Sequence, residues 1–426
     1  MTDWKESVIS FFAQAADKTT PPKLGVEAEH FIVDRLNRRA VPYSGEHGIR
    51  QVLARLMERF PGAQILPDDD FFGFQTPDFT ITLEPAAQLE ISISPMASIR
   101  QISDVYREFM NNLDAVLAPL GYMALSVGCQ PVSPVAALEM IPKKRYALMN
   151  EYFQHTGTGG IEMMRGSASL QVSVDYYSEE DFRRKLQAAY CYSPVLKLFC
   201  DNSSSFQGKE LNTRLKRTDI WRRTDPVRCG VLPGVFSPSY GFADYANFLG
   251  RIPPIFFKQG AEVLPTGLQT ADTLFADKAL GEDEIRHLLS MAFPDVRVKQ
   301  FLEIRVADAV PPPFLAAYCA VIKGLIYSEA GLEHAQEMIR GKGLTEDDIR
   351  KAEDELMTRG WEASVYGQPA SELGRSLLKL AEKVLPPEER PYLEAFKAVI
   401  RHKGILALPM KEEERLCELV PAESRK

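Results

Sequence analysis

The chain has 426 residues, enough for two or three ordinary domains or for one large α/β or α+β domain with helical additions. Hydrophobic residues make up 45% and charged residues 25%, which is a globular composition. The net charge of -8 argues against general nucleic-acid binding. The one dense basic patch, KRTDIWRR at residues 216–223, is short and interrupted. It indicates either a solvated helix or loop, or a clamp for phosphate or carboxylate.

The first residues of the chain and its cysteines give an expectation for the cellular compartment. The first ten residues are polar and of mixed charge, which is not a secretory pattern, and no apolar run is long enough to span a membrane. Six cysteines are scattered without CxxC spacing, which fits a reduced cytoplasm better than a disulfide framework. We therefore expect a cytoplasmic protein with no obvious zinc site.

Residues 23–34, KLGVEAEHFIVD, predict the first strand. Because side chains alternate along a strand, Glu27 and Glu29 leave one face while the apolar residues leave the other. His30 falls on the apolar face, so we expect it in the core. Two carboxylates on one face repel each other, so a cation between them, or a proton on one of them, is expected.

Three further stretches alternate in the same way. Residues 80–94 predict a strand, a turn at 85–87 and a second strand, and residues 167–176 and 301–307 predict one strand each. Their polar positions hold the residues Glu84, Glu90, Gln171, Glu303 and Arg305. Loops are expected over 67–78 and 201–240. Helices are expected over residues 3–17, 46–60, 98–118, 141–155, 179–200, 242–258, 282–292 and, in series, 312–403.

Carboxylates dominate the polar positions of these strands. If they share one face, their repulsion is severe without cations. All-oxygen clusters suit Mg²⁺ or Mn²⁺ together with phosphate oxygens, and Arg305, two residues from Glu303, suits a phosphoryl group. A structural ion-pair network would give the same pattern, so both interpretations stay open.

Several other chemistries find no motif in the chain. It contains no GxxxxGK[ST] phosphate loop, no GxGxxG after a strand, no HExxH and no GxSxG. The six histidines are isolated along the chain. Nucleophilic serine or cysteine catalysis is therefore not supported.

Six segments, in order between about residue 24 and residue 308, resemble one known family. They are GVEAEHF, TLEPAAQLEIS, PKKRY, EMMRGSASLQVSVDY, IWRRTDPVRCG and FPDVRVKQFLEIRVAD. The first resembles the GxExE strand, and the second the LEPGGQxELS segment, of glutamate–cysteine ligases of the plant and proteobacterial type. Six segments in the right order are far more specific than any one of them.

The resemblance implies an α+β fold with a glutamine-synthetase-like core, in which an antiparallel sheet curves into a funnel with helices outside. It implies one catalytic domain over 1–426, with a core at roughly 20–310 and a helical portion at 311–420. The implied reaction uses ATP to convert the glutamate γ-carboxylate to a γ-glutamyl phosphate, which the amine of cysteine then attacks. The expected partners are small molecules, with no nucleic acid or membrane, and the expected state is a monomer or homodimer.

The resemblance also assigns roles to single residues. Arg305 would stabilise the transferring phosphoryl group, and Glu29 would act with it. Candidate ligands for two or three Mg²⁺ ions, with Mn²⁺ as a substitute, are Glu27, Glu29, Glu84, Glu90 and Glu303. The glutamate pocket would be formed by Arg145 and Arg228, which clamp the α-carboxylate, and by Gln171 and Trp221.

Two departures from the family pattern concern the acceptor pocket. Ala86 and Ala87 replace a Gly-Gly pair, and Val306 replaces a commonly seen glycine. If the glycines serve a positive φ or a close approach to a ligand, alanine would reshape the turn. Two alternatives therefore stay open: a ligase of the same fold with another amine acceptor, and a non-catalytic protein that binds Mg-nucleotide.

Overall fold

The centre of the computed structural model, which describes residues 3–68, 70–259, 262–276, 278–401 and 406, is an open antiparallel sheet. Within the described residues it has nine strands, which are β1 (Leu24–Asp34), β2 (Gln64–Ile65), β3 (Gly73–Gln75), β4 (Phe79–Leu83), β5 (Leu89–Met96), β6 (Tyr122–Leu125), β7 (Ser169–Val174), β14 (Val296–Val298) and β15 (Leu302–Asp308). The shorter strands pair as ribbons, namely β8 (Ser205–Phe206) with β9 (Lys209–Glu210), β10 (Cys229–Gly230) with β13 (Phe293–Pro294), β11 (Phe256–Gln259) with β12 (Glu262–Pro265), and β16 (Ser364–Val365) with β17 (Gln368–Pro369).

Helices surround this sheet and make up most of the chain after β15. Among the described residues they are α1 (Trp4–Ala16), α2 (Ile49–Glu58), α3 (Ile99–Leu117), α4 (Lys144–Tyr152), α5 (Gly160–Gly166), α6 (Glu179–Phe199), α7 (Lys216–Arg222), α8 (Phe242–Gly250), α9 (Ala271–Leu274), α10 (Glu282–Leu289), α11 (Pro312–Ile326), α12 (Glu329–Lys342), α13 (Glu346–Arg359), α14 (Ala370–Val384) and α15 (Glu394–Arg401). In the described part of the chain, no single helix has the length and apolar composition to cross a bilayer, and only α11 and α12 together, bent by 74°, meet those two criteria.

Strand β1 is the middle of the sheet, whose order is β14-β15-β7-β1-β5-β4-β3-β2, with β6 beside the end of β1. The register sets two carboxylates directly opposite each other, because Glu29 of β1 pairs with Glu90 of β5. Glu27 lies between Gln171 of β7 and Ser92 of β5. The polar side chains of the predicted strands thus share one face, and the α+β class predicted from the sequence is confirmed.

The other face of the sheet is apolar and is covered by long helices. Helix α6 packs on β15, and α3 packs on β5 and β6. His30 lies in this layer with 0% exposure, where Nε2 is 2.8 Å from the Tyr106 hydroxyl and Nδ1 is 3.2 Å from the Leu89 carbonyl. Burial lowers the pKa of His30 to about 4. It is a neutral core histidine, as its place on the strand predicts.

A β-bulge interrupts the pairing of β15 with β7 between Ile304 and Ala307. At the bulge the backbone N–H of Arg305 donates to the Asp295 carbonyl at 2.9 Å instead of to the ladder. Bulges bend a strand and re-aim a side chain. This one turns the Arg305 region toward the polar face, and Val306, next to it, is buried.

Four local predictions are wrong or incomplete. The loop predicted over 67–78 contains the short strand β3, and the loop-rich region 201–240 contains α7. The helix predicted over 242–258 ends at Gly250 and is followed by the strand β11, and β6 was not predicted. These elements are short, and tertiary packing rather than local pattern forms them. His402, Cys417 and the end of the helical stretch predicted over 312–403 lie outside the described residues.

The turn between β4 and β5 keeps the shape that the family's glycines suggest. Ala87 has φ +61°, the left-handed region that favours glycine, whereas Ala86 does not. The Ala87 N–H donates to the Glu84 carbonyl at 2.8 Å and the Glu84 N–H donates to the Gln88 carbonyl at 2.9 Å. The alanine therefore preserves the turn at a cost of about 1 kcal/mol of backbone strain.

Candidate active site

A cavity of about 880 Å³ lies over the polar face of the sheet, between the sheet, α4 and the β11–β12 ribbon. Eight of the ten residues that the sequence singles out line it: Glu27, Glu29, Glu84, Glu90, Arg145, Gln171, Trp221 and Arg305. The other two, Glu303 and Arg228, do not reach its surface. The carboxylates come from β1, β5 and the end of β4. The cations come mainly from α4 and from β14 and β15, which lie at the other end of the strand order on the same face.

Glu29 and Glu90 form the middle of the acidic half of the cavity. Glu29 accepts hydrogen bonds from the Ser169 N–H at 2.9 Å, from its hydroxyl at 2.8 Å and from Gln171 Nε2 at 3.3 Å. Glu90 accepts from the Thr82 hydroxyl at 2.9 Å. These donors hold the two carboxylates in position, but they are uncharged and do not remove the repulsion between them. Like charges directly opposite on neighbouring strands destabilise a sheet.

Glu27 and Glu84 are held more weakly. Within the described residues, no hydrogen bond or ion pair reaches the Glu27 carboxylate, and Glu84 has one long contact, 3.4 Å, from the Tyr146 hydroxyl. Burial and then the charge of Glu29 raise the pKa of Glu84 to about 7, and burial and the charge of Glu303 raise the pKa of Glu27. Burial followed by the charges of Glu27 and Glu84 raises the pKa of Glu90 well above its ordinary value.

This donor set fits a hard divalent cation that shares its coordination with phosphate. No group of three or more His, Cys, Asp or Glu among the described residues is arranged to hold a metal by itself. Mg²⁺, however, is usually bound by one or two carboxylates, with water and phosphate oxygens completing the shell. The carboxylate of Glu27, which has no hydrogen-bond or ion-pair partner among the described residues, and the opposed pair Glu29 and Glu90 supply such ligands.

Glu303 differs from the other four glutamates. It is 0% exposed, and it forms ion pairs with Arg297 at 2.7 Å, Lys299 at 2.6 Å and Arg305 at 2.9 Å. Burial opposes its ionisation, but the three cations keep its pKa well below the ordinary value. Arg305 also donates to Gln171 Oε1. The structure therefore presents Glu303 as the anchor of a cation cluster and not as a member of the acidic half.

Five cavity-lining cations were not among the candidate site residues: Lys143, Lys144, Arg297, Lys299 and Arg217. The first two lie in the family-like segment PKKRY. Arg297 and Lys299 lie in the family-like segment FPDVRVKQ, and Arg217 lies in the basic patch at 216–223. Arg217 is buried, donates from Nη1 to the Arg305 carbonyl at 3.1 Å, and places its guanidinium 5.7 Å from the Trp221 ring. The sequence did not indicate Arg217, Arg297 and Lys299 as site residues, because β14 and α7 are too short to show a clear periodic pattern.

The two arginines predicted to clamp a carboxylate have different surroundings. Arg145 lines the cavity, where it donates to the Ser290 hydroxyl at 3.2 Å and to the Ser290 carbonyl at 3.0 Å. Arg228 is 0% exposed and pairs with Asp225 at 2.7 Å. Its remaining donors bind the Tyr152 hydroxyl at 2.6 Å and the carbonyls of Met291 and Pro253, both at 2.8 Å.

Arg228 is thus a structural cross-link behind the cavity. Its guanidinium is enclosed by protein acceptors, and its role in binding substrate stays a prediction. The sequence did not indicate this pairing, although the reason for it is physical. An arginine among turns and apolar neighbours has to be paired when it is buried, and a pairing partner three residues away, Asp225, was already in the chain.

Comparison with known proteins agrees with this site. A model of a family described as glutamate–cysteine ligase family 2 matches residues 23–408. The chain belongs to this family. Among its relatives are the chloroplastic glutamate–cysteine ligases of Medicago truncatula and Arabidopsis thaliana, each 28% identical over 415 residues that cover 89% of this chain and 81% and 79% of theirs. The resemblance and the ligase class predicted from the sequence are confirmed.

A solved structure shows the same fold at low sequence identity. It is a glutamate–cysteine ligase of Francisella tularensis in complex with AMP, with a TM-score of 0.58, 11% identity and coverage of 96% of this chain and 89% of that one. The glutamate–cysteine ligase family thus accounts for the chain from β1 to the C-terminal helices. The predicted cytoplasmic location is wrong by this comparison, because the relatives of Medicago truncatula and Arabidopsis thaliana are named as chloroplastic.

Proposed function

We propose that this member of the glutamate–cysteine ligase family joins the γ-carboxylate of glutamate to the amine of cysteine, with conversion of ATP to ADP and phosphate. One observation carries the proposal: the acidic half and the basic half of a single cavity face each other across the middle of the sheet. An acidic half suits the metal that accompanies a nucleotide, and a basic half suits phosphoryl and carboxylate groups.

The acidic half is proposed to hold Mg²⁺, with Mn²⁺ as a substitute, through Glu27, Glu29, Glu84 and Glu90. When bound, the metal would neutralise charge on the phosphates of ATP. The raised pKa values of Glu27, Glu84 and Glu90 support this, since burial and then the charges of neighbouring glutamates disfavour their ionised forms, which a bound cation would stabilise.

The first step forms an acyl phosphate. An oxygen of the glutamate γ-carboxylate attacks the γ-phosphorus of ATP, and the bond between that phosphorus and the bridging oxygen of ADP breaks. Arg305 is proposed to bind the transferring group, since Glu303 and Gln171 already fix its guanidinium beside the cavity. A preorganised cation of this kind stabilises developing charge without reorganisation.

The second step forms the amide. The cysteine nitrogen attacks the acyl carbon, the carbon–oxygen bond to the phosphate breaks, and the nitrogen loses a proton. Arg145 is proposed to bind the α-carboxylate of glutamate, with Gln171 and Trp221 along the same pocket. The acyl phosphate has to be protected from water, and a cavity lined on the sheet side by buried or half-buried residues provides that protection.

The wider expectations stay as proposals. We propose one catalytic domain over 1–426, with the core at roughly 20–310 and a helical portion at 311–420. One continuous cluster of buried apolar side chains, from Trp4 to Leu406, supports a single domain. The partners proposed are ATP, glutamate and an amine, with no nucleic acid or membrane, in a monomer or homodimer that supplies the first intermediate of glutathione or a related thiol.

A coupled assay of ADP release with glutamate and a panel of amines tests the proposal. Cysteine should give the largest kcat/KM, and no glutamate-dependent ADP release with any amine would refute an enzymatic role. Turnover with another amine but not with cysteine would assign a different acceptor. Binding of Mg·ATP that raises the melting temperature without turnover would leave a non-catalytic nucleotide binder.

A further inference from the structure

A second, smaller cavity of about 150 Å³ lies behind the active-site cavity, between α6, α7, α13 and the β10–β13 ribbon. Arg217, Trp221, Phe293 and Arg305 line both cavities and form the wall between them. The lining changes from the buried Arg217 at this wall to exposed residues such as Pro226 and Arg350. The small cavity therefore runs from the surface to the arginine proposed to bind the transferring phosphoryl group.

The charge of the small cavity favours an anion. Its lining contains five cationic side chains and two carboxylates, Asp295 and Glu353. Both carboxylates are bound by one lysine, because Lys197 Nζ lies 2.7 Å from Asp295 and also contacts Glu353. The lining therefore carries three more positive than negative charges, and Arg222, Arg305 and Arg350 each also pair with a carboxylate outside it. An anion would meet net attraction there, focused by the low-dielectric walls.

The hydrogen-bond donors in the wall between the two cavities also favour an anion. Arg217 Nε and Trp221 Nε1 are buried donors that have no hydrogen-bond partner among the described residues. Buried donors without partners are rare, so each calls for an explanation such as an absent ion or water. Both unmatched groups are donors, and orthophosphate is a ligand rich in acceptor oxygens.

The two arginines at the outer end can exchange their present partners for a ligand. Arg350 pairs with Asp347 at 2.9 Å, three residues away on α13, and Arg222 pairs with Asp354 at 2.6 Å. Both pairs include an exposed aspartate, and exposed ion pairs of this kind contribute little. A phosphate entering between α7 and α13 would therefore compete with weak partners.

The small cavity is large enough for such a ligand. The volume of about 150 Å³ is well above the roughly 10–15 Å³ that a single water molecule needs by the same measure, so an ion with five non-hydrogen atoms, such as orthophosphate, can be accommodated. We propose that the small cavity binds the inorganic phosphate released by the reaction, and that it is a route by which phosphate leaves on the side of Arg305 opposite the acidic half of the active site. This inference rests on the proposed ligase function.

The test uses the full-length protein and inorganic phosphate as the probe. The active site is first filled with glutamate and Mg²⁺ plus a non-hydrolysable ATP analogue, and phosphate binding is then measured by calorimetry. Arg350→Glu, which alters the small cavity but not the lining of the active-site cavity, should raise the phosphate Kd about fivefold or more. It should leave the KM values for ATP and glutamate within twofold of wild type. Lys351→Glu is the matched control, because it makes the same charge change on the next residue of α13, outside the cavity, and should leave the phosphate Kd unchanged.

Two outcomes would overturn the inference. One is loss of phosphate binding when the active site is filled, which would assign all binding to the phosphoryl-transfer position. The other is an equal phosphate Kd in wild type, Arg350→Glu and Lys351→Glu. Melting temperatures show whether Arg350→Glu is folded, and crystals soaked in phosphate locate the ion independently of that variant. Failure of the ligase function itself would appear separately, as absence of glutamate-dependent ADP release.

Discussion

The acidic and basic halves of the active-site cavity solve the problem of burying charge in opposite ways. In the basic half, Arg297, Lys299 and Arg305 share the single carboxylate of Glu303, which fixes their positions but leaves an excess of positive charge. In the acidic half, Glu29 faces Glu90 directly, and no described residue forms a hydrogen bond or ion pair with the Glu27 carboxylate. The cations of the basic half are thus held in place by an internal carboxylate, whereas the carboxylates of the acidic half face one another and have no internal cation of that kind.

This difference separates two kinds of residue that look alike in a sequence. A charged side chain that is enclosed by protein partners, as Arg228 is, serves position and stability, and its loss affects folding. A charged side chain that the fold leaves unbalanced is available to a ligand, and its loss affects binding. The predictions below use this distinction, and they run from the largest expected effect to the smallest.

Arg228→Met should lower the free energy of unfolding by about 3–5 kcal/mol, because it leaves the buried Asp225 carboxylate without its partner. Denaturant titration measures this loss. The control is Arg145→Met, which should mainly raise the KM for glutamate, since Arg145 lines the cavity. If Arg228→Met instead kept wild-type stability and raised the KM as the control does, Arg228 would belong to the substrate pocket.

Arg305→Lys should reduce kcat about 10²–10³-fold, because lysine keeps the charge but loses the planar fork that can bind a phosphoryl group through two N–H donors. Steady-state kinetics of ADP release measure the change. The melting temperature should stay close to wild type, since a cation still faces Glu303. A loss of less than tenfold would mean that another cation, such as Arg217, binds the transferring group.

Glu90→Gln should have opposite effects on metal binding and on stability. Removing one carboxylate from the acidic half should raise the Mg²⁺ concentration needed for half-maximal activity about 10–100-fold, a range set by analogy with other changes around metal sites. Relief of the repulsion with Glu29 should raise the melting temperature of the metal-free protein by a few degrees. If Glu90→Gln instead lowered the melting temperature of the metal-free protein, the repulsion between Glu29 and Glu90 would not be destabilising the wild type.

The metal-free protein should lose stability as the pH rises. The folded-state pKa of Glu84 is about 7, above its ordinary value, so between about pH 4.5 and 7 the folded protein binds more protons than the unfolded chain. The loss over this window should be on the order of 1–3 kcal/mol. Melting curves from pH 5 to 8 in EDTA measure it, and saturating Mg·ATP should reduce the slope. A melting temperature in EDTA that does not change between pH 5 and 8 would contradict the raised pKa of Glu84.

The variants Ala87→Gly and Ala86→Gly should differ in stability by a small amount that tests whether the turn is strained. Glycine at Ala87 relieves about 1 kcal/mol or more of strain at φ +61°, which offsets the entropy that glycine adds to the unfolded chain. Glycine at Ala86 has no such strain to relieve. Ala87→Gly should therefore be the less destabilising change by about 1 kcal/mol, measured by denaturant midpoints. The reverse order would show that the turn is unstrained.

The sequence by itself determined the strands that carry the acidic half. Period-two alternation is a local property of the backbone, so the polar faces that carry Glu27, Glu29, Glu84 and Glu90 could be predicted before any pairing was known. The sequence placed each glutamate on the polar face of its own strand, and the strand pairing of the structure brought these faces together. The same alternation placed His30 in the core. The order of the family-like segments supplied the fold class, and the family comparison confirmed it.

Only the tertiary structure decided which charges are paired. Pairing depends on contacts between distant parts of the chain, such as Glu29 with Ser169 and Arg305 with Gln171, and a single sequence carries no record of them. The short elements β14 and α7, which bring Arg297 and Arg217 to the cavity, form because they pack and not because they alternate. For that reason the sequence could propose the roles of Arg228 and Glu303, but only the fold could show that protein groups already bind both of them.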